Sequence, residues 1–277
     1  MQENQYKIIF CDFDGTLVGA DFKVLPEVAK QIQRWNDSGR FFSIATGKLF
    51  PGVIEEVCQE LHLSVPQIIA QGAAVIDPTT QKILYAKYVL DEKAHILIDV
   101  LKNSPVLFEI DTFDGTFASS EKLVNQEKHK KYLSLEKFNN QKILKIRLVT
   151  THNTDEEITK VKQTLAPLIA GLLLVPSDTP YSTGFDIIDE GATKHEAVEF
   201  VTHFLNGTKD ETIGIGNGIN DTELLSACGY KVATQDAPEV LKKIADRIIP
   251  TYSEGGVGIV IRKLLKSEPD TQDLHTL

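Results

Sequence analysis

The sequence predicts an α/β fold in which a parallel-sheet core carries an inserted α+β segment, and three observations lead to this prediction. Short apolar runs alternate with amphipathic helical patterns near both ends of the chain. Between about residues 84 and 185, strands follow one another through turns more often than through helices. From Lys194 the strand–helix rhythm returns. The length of 277 residues suits one large or two modest domains.

The N-terminal part predicts strand–helix–strand units, which place successive strands in parallel in one sheet. The predicted elements are a strand at 6–11, a helix at 26–38 ended by Gly39, a strand at 40–46, a helix at 51–61 and a strand region at 67–77 with a glycine break. Val28, Ile32 and Trp35 share one face of the first helix, which is typical of a helix packed against a sheet.

The middle of the chain predicts a strand-rich domain with a mainly antiparallel sheet. The predicted elements are strands at 82–90, 105–119, 143–150, 172–178 and 185–189, with helices near 92–101 and 155–168. The stretch DTFDGTF at 111–117 is interpreted as a turn, because Asp-Gly inside an alternating segment is a common hairpin signal.

The C-terminal part returns to the α/β pattern. The predicted elements are a helix at 195–205, a strand at 211–216, a helix near 221–226 and a strand at 230–234. The predicted organisation is therefore a discontinuous, three-layer Rossmann-like core at 1–83 and 186–277, with an α+β domain at 84–185 inserted into it.

Composition narrows the classes of partner. A net charge of -10 argues against nucleic acid or an anionic membrane as the main partner, but a small phosphorylated ligand needs only a local positive pocket. Cys11, Cys58 and Cys228 are too few and too scattered for a disulfide framework. With a polar N-terminus and no long apolar run, the sequence predicts a cytoplasmic protein. It leaves a monomer and a homodimer equally open.

Two carboxylates follow the first strand directly. Asp12 and Asp14 lie at its carboxyl end, where ligands bind in open α/β sheets. Gly15 permits a turn that other residues resist, and Thr16 can bond to nearby backbone. A solvent-exposed loop with an Asx turn is the alternative interpretation of this stretch.

Further polar residues stand at the ends of other predicted elements. Thr46 and Gly47 end the second strand, Lys194 begins a helix, and Asn217, Asn220 and Asp221 follow a later strand. Taken singly, each has an ordinary explanation as a loop contact, a solvated charge or a helix cap. Their occurrence together and in this order indicates a functional site.

Four motifs in this order resemble the haloacid dehalogenase superfamily. They are DFDGTLV (12–18), ATGK (45–48), EGATKHEAV (190–198) and GNGINDTELL (216–225). The likeness is greatest to the Cof-like sugar-phosphatase branch, which has an α+β cap of the C2 type (IIB) between its second and third motifs. It covers nearly the whole chain and implies a phosphatase that acts on a small phosphorylated metabolite, commonly a sugar phosphate.

The resemblance also implies a role for each motif residue. Asp12 is the implied nucleophile that forms an aspartyl-phosphate, and Asp14 is the implied general acid and base. The implied phosphate-binding residues are Thr46, Gly47, Lys194 and Asn220. The implied cofactor is Mg²⁺, held by Asp12, Asp14, Asn217 and Asp221, since Mg²⁺ prefers oxygen ligands.

The sequence departs from the family pattern at several positions. Asn217 stands where Asp is usual, which removes one negative charge and should lower the affinity for Mg²⁺. Lys48, His195 and Gln71 replace the usual Arg, Gly and Asn. A phospho-ligand-binding protein with weak catalysis therefore stays open as an alternative, as does a phosphomutase.

The cap segment contains basic runs whose role the sequence leaves open. EKHKKYL (127–133) and KILKIRL (142–148) are expected to form a solvated face, with a site for a second anionic group as the alternative. Ser182, Thr183 and Asp186 could reach a substrate, but strand hydrogen bonding would explain them equally well.

Overall fold

The structure is a computed structural model that describes residues 6–124, 129–177 and 182–266. Parts of the stretches 127–133 and 176–188 and the end of the tail lie outside the described residues. The chain divides into two compact units. The first takes its described residues from Met1–Ala45, Val57–Val65 and Val198–Leu277, and the second from Thr46–Glu56 and Pro66–Ala197. The predicted domain boundaries near 84 and 185 stay a prediction.

The described residues form a series of strands and helices joined by turns and loops. The strands are β1 (Ile8–Cys11), β2 (Phe41–Ile44), β3 (Gln67–Ile69), β4 (Ala74–Ile76), β5 (Ile83–Ala86), β6 (Leu107–Thr112), β7 (Gly115–Ala118), β8 (Tyr132–Ser134), β9 (Lys145–Val149), β10 (Leu172–Pro176), β11 (Gly184–Asp189), β12 (Thr212–Gly216), β13 (Tyr230–Thr234) and β14 (Arg247–Ile249). The helices are α1 (Pro26–Asp37), α2 (Val53–Glu60), α3 (Asp91–Lys102), α4 (Asp155–Leu165), α5 (Lys194–Phe204), α6 (Thr222–Ala227), α7 (Glu239–Ile244) and α8 (Gly256–Lys266).

The first unit is built on a parallel sheet with the strand order β14-β13-β12-β1-β2. Strand β1, which lies between β12 and β2, is apolar and fully buried, as expected where helices cover a parallel sheet. Helix α1 packs against α8, and α6 contacts β12 and β13. In register, Cys11 lies beside Ile215 of β12 and Ile44 of β2, so these three strands end at the same edge. The predicted parallel core is confirmed.

The second unit contains a six-stranded sheet with the order β10-β11-β9-β6-β7-β8. All its pairs are antiparallel except β7 with β8. One side of the sheet carries buried apolar residues that cluster with those of α3 and α4, including Phe108, Ile146, Ile187, Leu97 and Leu165. The predicted α+β insert is confirmed. The predicted Asp-Gly turn is also confirmed, since Thr112 pairs with Gly115 across the β6–β7 hairpin.

The strand region at 67–77 differs from the expectation. Strands β3 and β4 form an antiparallel pair and join β5 in a separate three-stranded sheet, whereas this region was expected to extend the parallel series. The cause is a tight reversal at Ala70, Gln71 and Gly72, whose φ angles are 51°, 63° and 99°. Three successive left-handed residues turn the chain back on itself.

The structure describes the surroundings of all three cysteine thiols. Cys11, Cys58 and Cys228 are buried, and none takes part in a disulfide. Burial raises the pKa of the Cys228 thiol to about 12, which keeps it protonated and unreactive. Among the described residues, no helix combines the length and apolar character needed to cross a bilayer.

Candidate active site

Asp12 stands directly beyond the buried strand β1. Its main-chain N–H donates to the carbonyl oxygen of Ile215 at 2.8 Å, which continues the β1–β12 ladder by one residue. The Asp12 residue is only 6% exposed. A buried carboxylate needs hydrogen-bond donors or opposite charge to stay ionised, so the groups around Asp12 decide what it can do.

A tight turn follows Asp12. The N–H groups of Leu17 and Val18 both donate to the carbonyl of Phe13, at 3.0 and 3.1 Å, and Gly15 donates to Val18 at 2.8 Å. Gly15 has a φ of +79°, a conformation that favours glycine. The turn leaves Asp14 half-buried, two residues from the buried Asp12.

Thr16 connects the first strand to the fourth motif. Its hydroxyl lies 3.2 Å from Oδ2 of Asp12 and 3.0 Å from Oδ1 of Asn217. Because a hydroxyl carries a single hydrogen, these two oxygens share one donor. A Cβ on Gly15 would lie 2.3 Å from Nδ2 of Asn217, so the close approach of Asn217 depends on glycine at position 15.

Asp221 organises the loop that carries Asn217. Its Oδ2 accepts hydrogen bonds from the main-chain N–H groups of Asn217 at 2.9 Å and Gly218 at 2.8 Å. Asp221 is fully buried, and its carboxylate lies against Gly216 at the end of β12. Asn220 is half-buried, with its side chain beside Gly218. The Asp221 carboxylate thus fixes the turn that presents Asn217 to Thr16.

Thr46 and Gly47 belong to the second unit. The Thr46 hydroxyl oxygen accepts from the N–H of Lys48 at 3.1 Å, which leaves its own hydrogen for donation. The Thr46 main chain is held by Ile68 and Gln71, each at 3.0 Å. Thr46 is 1% exposed, whereas Gly47 and Lys48 are half-buried. The loop 46–48 is therefore anchored by the residues of the 68–71 segment.

Lys194 also belongs to the second unit. It is the first residue of α5 and is buried. Thr193 caps this helix, because its hydroxyl oxygen accepts from the N–H of Glu196 at 3.3 Å. A Cβ on Gly72 would lie 2.6 Å from the main-chain nitrogen of Lys194, so the main chains of the 70–72 turn and the 193–194 segment pack together. His195 is half-buried beside it.

The predicted site residues thus fall into two sets. The first unit holds Asp12 and Asn217, which meet at Thr16, together with Asp14, Asn220 and Asp221. The second unit holds Thr46, Gly47 and Lys194, which are linked through the turn at 70–72. The roles assigned to these residues stay predictions.

A network of charges, all buried except the half-buried Lys130, lies on the sheet of the second unit, and we call it the charge cluster. Its members are Glu109, Asp111, Lys130, Lys145, Arg147 and Asp186. Lys145 Nζ lies 3.0 Å from Oδ2 of Asp186 and 3.4 Å from Oδ2 of Asp111, and Arg147 Nη1 lies 3.6 Å from Oδ1 of Asp186. Opposite charges face each other across strands, since Asp111 pairs with Lys145 and Asp186 with Arg147.

The charge cluster corrects the expectation for the 142–148 run. Lys145 and Arg147 are 3% and 5% exposed, so the predicted solvated face is wrong for these two residues. Ser182 and Thr183 have partners within the chain: Arg147 donates to Ser182 Oγ at 3.0 Å, and the Thr183 carbonyl accepts from Thr150 at 2.9 Å. The alternation Lys-Ile-Arg in the sequence indicated a shared face but not that this face is buried.

Asp186 and Asp111 of the cluster remain ionised despite their burial. Burial raises the pKa of the Asp186 carboxyl, but the charges of Lys145 and Arg147 and hydrogen bonds from Gln71 and Ser177 outweigh it. The resulting pKa is below the ordinary value of an aspartate. The pKa of Asp111 is lowered in the same way, with Lys130 and Lys145 overcoming the cost of burial.

Comparison with known proteins decides the family. A family model described as haloacid dehalogenase-like hydrolase matches residues 9–261. The chain belongs to this family. The matched range contains all four motifs of the sequence, and the family that these motifs predicted is confirmed.

Relatives of this haloacid dehalogenase-like hydrolase extend over nearly its whole length. A 5-amino-6-(5-phospho-D-ribitylamino)uracil phosphatase of Bacillus subtilis is 25% identical, covering 92% of this chain and 94% of its own. A haloacid dehalogenase-like hydrolase structure from Bacteroides thetaiotaomicron has a TM-score of 0.81 at 20% identity, covering 94% of this chain and 99% of that chain. A structure described as a HAD subclass IIB sugar phosphatase has a TM-score of 0.75 at 20% identity, covering 93% and 98%.

These comparisons confirm three predictions. They confirm the α/β fold with an inserted α+β cap, and they confirm the Cof-like branch with a cap of the IIB type. They also support the prediction of an enzyme, a hydrolase of the phosphatase type.

The oxygen donors in the first unit fit a hard divalent cation. The Asp12 carboxylate and the Asn217 amide oxygen share the Thr16 hydroxyl, and both are oxygen ligands of the kind that Mg²⁺ prefers. Within the described residues, no group of three or more His, Cys, Asp and Glu side chains is arranged to hold a metal. A site here would therefore depend on amide or main-chain oxygens as well as carboxylates.

We predict that Asp186→Asn destabilises the second unit strongly. The substitution leaves Lys145 and Arg147 buried with less negative charge, and breaking a buried ion pair costs about 3–5 kcal/mol. Urea unfolding measures the loss. The matched control is Asp91→Asn, which breaks an exposed 2.8 Å pair with Lys142 and should cost at most about 1 kcal/mol. Equal losses for the two variants would contradict this account of the cluster.

The same analysis predicts a loss of stability in acid. The folded pKa of Asp186 lies below the unfolded value of about 3.9, so its contribution is complete above that pH and is lost as the pH falls further. We expect native stability to drop below about pH 4 and the drop to be shallower in Asp186→Asn. Parallel pH profiles for the two proteins would show that folding does not lower the pKa of Asp186.

Proposed function

We propose that the chain is a Mg²⁺-dependent phosphatase that hydrolyses a small phosphate monoester through an aspartyl-phosphate on Asp12. The observation that carries the proposal is the position of Asp12: a buried carboxylate at the end of a parallel strand, hydrogen-bonded through Thr16 to the fourth motif. This position supports the role of nucleophile for Asp12, because α/β proteins bind their ligands at this edge of the sheet.

Asp12 and Asp14 divide the chemistry between them. An oxygen of Asp12 attacks phosphorus, and the bond between phosphorus and the leaving oxygen breaks while Asp14 gives that oxygen a proton. Asp14 then takes a proton from water, whose oxygen attacks phosphorus and releases Asp12 as a carboxylate. The half-buried position of Asp14 suits an acid that must exchange protons with substrate and water.

The negative charges of nucleophile and substrate must be offset. Mg²⁺, when bound, supplies this positive charge. Asp12, Asn217, Asp221 and the main-chain oxygen of Asp14 are the groups proposed to hold it. Thr46, Gly47, Lys194 and Asn220 are the proposed phosphate-binding groups: the Thr46 hydroxyl retains a hydrogen to donate, and Lys194 contributes a positive charge.

The proposed substrate is a small phosphorylated metabolite, with a sugar phosphate as the first class to test. The names of a sugar phosphatase and of a phosphoribitylamino-uracil phosphatase among the similar proteins support this choice. The excess of negative charge on the chain disfavours nucleic acid as a substrate. We also propose a cytosolic location, supported by three reduced and buried thiols.

Asn217 favours a second candidate, a phospho-ligand-binding protein with little turnover. Its side chain meets Thr16 beside the proposed nucleophile, and it brings no charge to the cation. A protein of this kind would bind phosphate esters without releasing phosphate. The two candidates differ in turnover and not in ligand.

The decisive variant for turnover is Asp12→Asn. We expect native protein with Mg²⁺ to release phosphate from an aryl phosphate, and the variant to lose at least about a thousandfold in kcat because a neutral amide cannot attack phosphorus. The matched control is Asp114→Asn, which changes an exposed aspartate in a similar Asp-Gly-Thr stretch and should retain activity. Equal rates for native protein and Asp12→Asn would rule out Asp12 as the nucleophile, and ligand binding without turnover in the native protein would favour the second candidate.

A substitution at position 217 tests whether this residue helps to bind Mg²⁺. Asn217→Asp adds a carboxylate that can still accept from Thr16, and the added attraction should lower the half-saturating Mg²⁺ concentration by roughly tenfold or more. Magnesium titration of activity and isothermal calorimetry both measure this. The control Asn139→Asp adds the same charge at an exposed loop position. An unchanged Mg²⁺ requirement in Asn217→Asp would place residue 217 away from the cation.

A further inference from the structure

A strained turn holds the loop that carries Thr46 and Gly47. The N–H of Gln71 donates to the Thr46 carbonyl at 3.0 Å, and the N–H of Ala70 donates to the Lys48 carbonyl at 2.8 Å. Ala70 and Gln71 both have left-handed backbones, which are strained for residues other than glycine. Such strain persists only where the surrounding structure fixes it, so the interactions of this turn need an explanation.

The side chain of Gln71 fixes the turn from the other side. Gln71 is 3% exposed, and its Nε2 donates to Oδ2 of Asp186 at 3.0 Å and to Oγ of Ser177 at 3.2 Å. A Cβ on Gly47 would lie 2.7 Å from the same Nε2, so the carboxamide packs directly against the Gly47 main chain. One amide group therefore contacts both the 46–48 loop and the charge cluster.

The acceptors of Gln71 are themselves held firmly. Asp186 lies between Lys145 and Arg147, and Arg147 also donates to Ser177 Oγ at 2.6 Å. A buried acceptor with two cationic neighbours has little freedom to move, because any shift would leave a charge without its partner. The cluster is thus a rigid anchor for the Gln71 amide.

We propose that Gln71 is a positioning residue that ties the 46–48 loop to the charge cluster and so sets the affinity for the phosphate group. The proposal rests on the proposed role of Thr46 and Gly47 in binding phosphate. It explains the departure of this sequence from the usual asparagine: an asparagine side chain is one methylene shorter and would draw the amide away from Asp186 and Ser177.

The test compares the affinity for inorganic phosphate, measured by calorimetry with Mg²⁺ present, in native protein and three variants. Gln71→Leu removes both hydrogen bonds while keeping most of the volume. We expect its phosphate affinity to fall roughly tenfold and its KM for an aryl phosphate to rise in parallel. Thr116→Val is the matched control, since it removes a buried 2.5 Å bond to Asp111 in the same cluster without altering a partner of Gln71.

Gln71→Asn provides a second measurement if Gln71→Leu does not fold. The asparagine keeps an amide but is one methylene shorter, so its contacts with Asp186 and Ser177 should be lost or weakened. We expect its phosphate affinity to fall by more than that of Thr116→Val, with a rise in KM for the aryl phosphate and little change in kcat. A general structural defect would lower kcat as well.

Each outcome decides the inference. Native-like phosphate affinity in Gln71→Leu or Gln71→Asn, or losses in these variants no larger than that in Thr116→Val, would overturn it. If native protein binds phosphate without hydrolysing the aryl ester, the proposed catalysis fails but the Gln71 comparison still decides this inference. Native protein that does not bind phosphate would overturn both.

Discussion

Providing buried carboxylates with hydrogen-bond donors or opposite charge is the constraint on which both units depend. Moving an ion out of water costs on the order of several kcal/mol even after the surrounding protein relaxes. A buried charge must therefore have hydrogen-bond donors or an opposite charge around it. In the first unit the Thr16 hydroxyl donates to the Asp12 carboxylate, and two main-chain N–H groups donate to the Asp221 carboxylate. In the second unit Lys145 and Arg147 form ion pairs with Asp186. In each case adjacent strands or their ends bring the partners together at fixed spacing.

This constraint connects the fold to the proposed chemistry. A nucleophilic carboxylate must be correctly oriented before substrate arrives, and the Thr16 bond contributes to this orientation. The same hydroxyl reaches Asn217, so the chemical nature of residue 217 bears directly on the environment of Asp12. An amide oxygen can accept this bond as well as a carboxylate can, which explains how the turn geometry accommodates the neutral side chain.

The sequence predicts most of the parallel core and part of the candidate site, but neither the β3–β4 reversal nor the burial of the charge cluster. Helix α1 and the strands β1 and β12 follow from apolar periodicity, and the grouping of Asp12 with Asn217 follows from the order of the motifs. The β3–β4 reversal was not foreseeable from propensity, because Ala70 and Gln71 rarely adopt left-handed backbones. The burial of Lys145 and Arg147 was also missed, since alternation shows which residues share a face but not what covers that face.

The most direct test of the central claim is to look for the phosphoryl group on Asp12 itself. Native protein would be mixed with Mg²⁺ and excess aryl phosphate, quenched in acid during turnover, digested and analysed by mass spectrometry. The account predicts a phosphorylated peptide spanning residues 8–18 with the modification on Asp12, absent from Asp12→Asn. Steady phosphate release with no phosphoryl group on Asp12, or with the group on another residue, would contradict it.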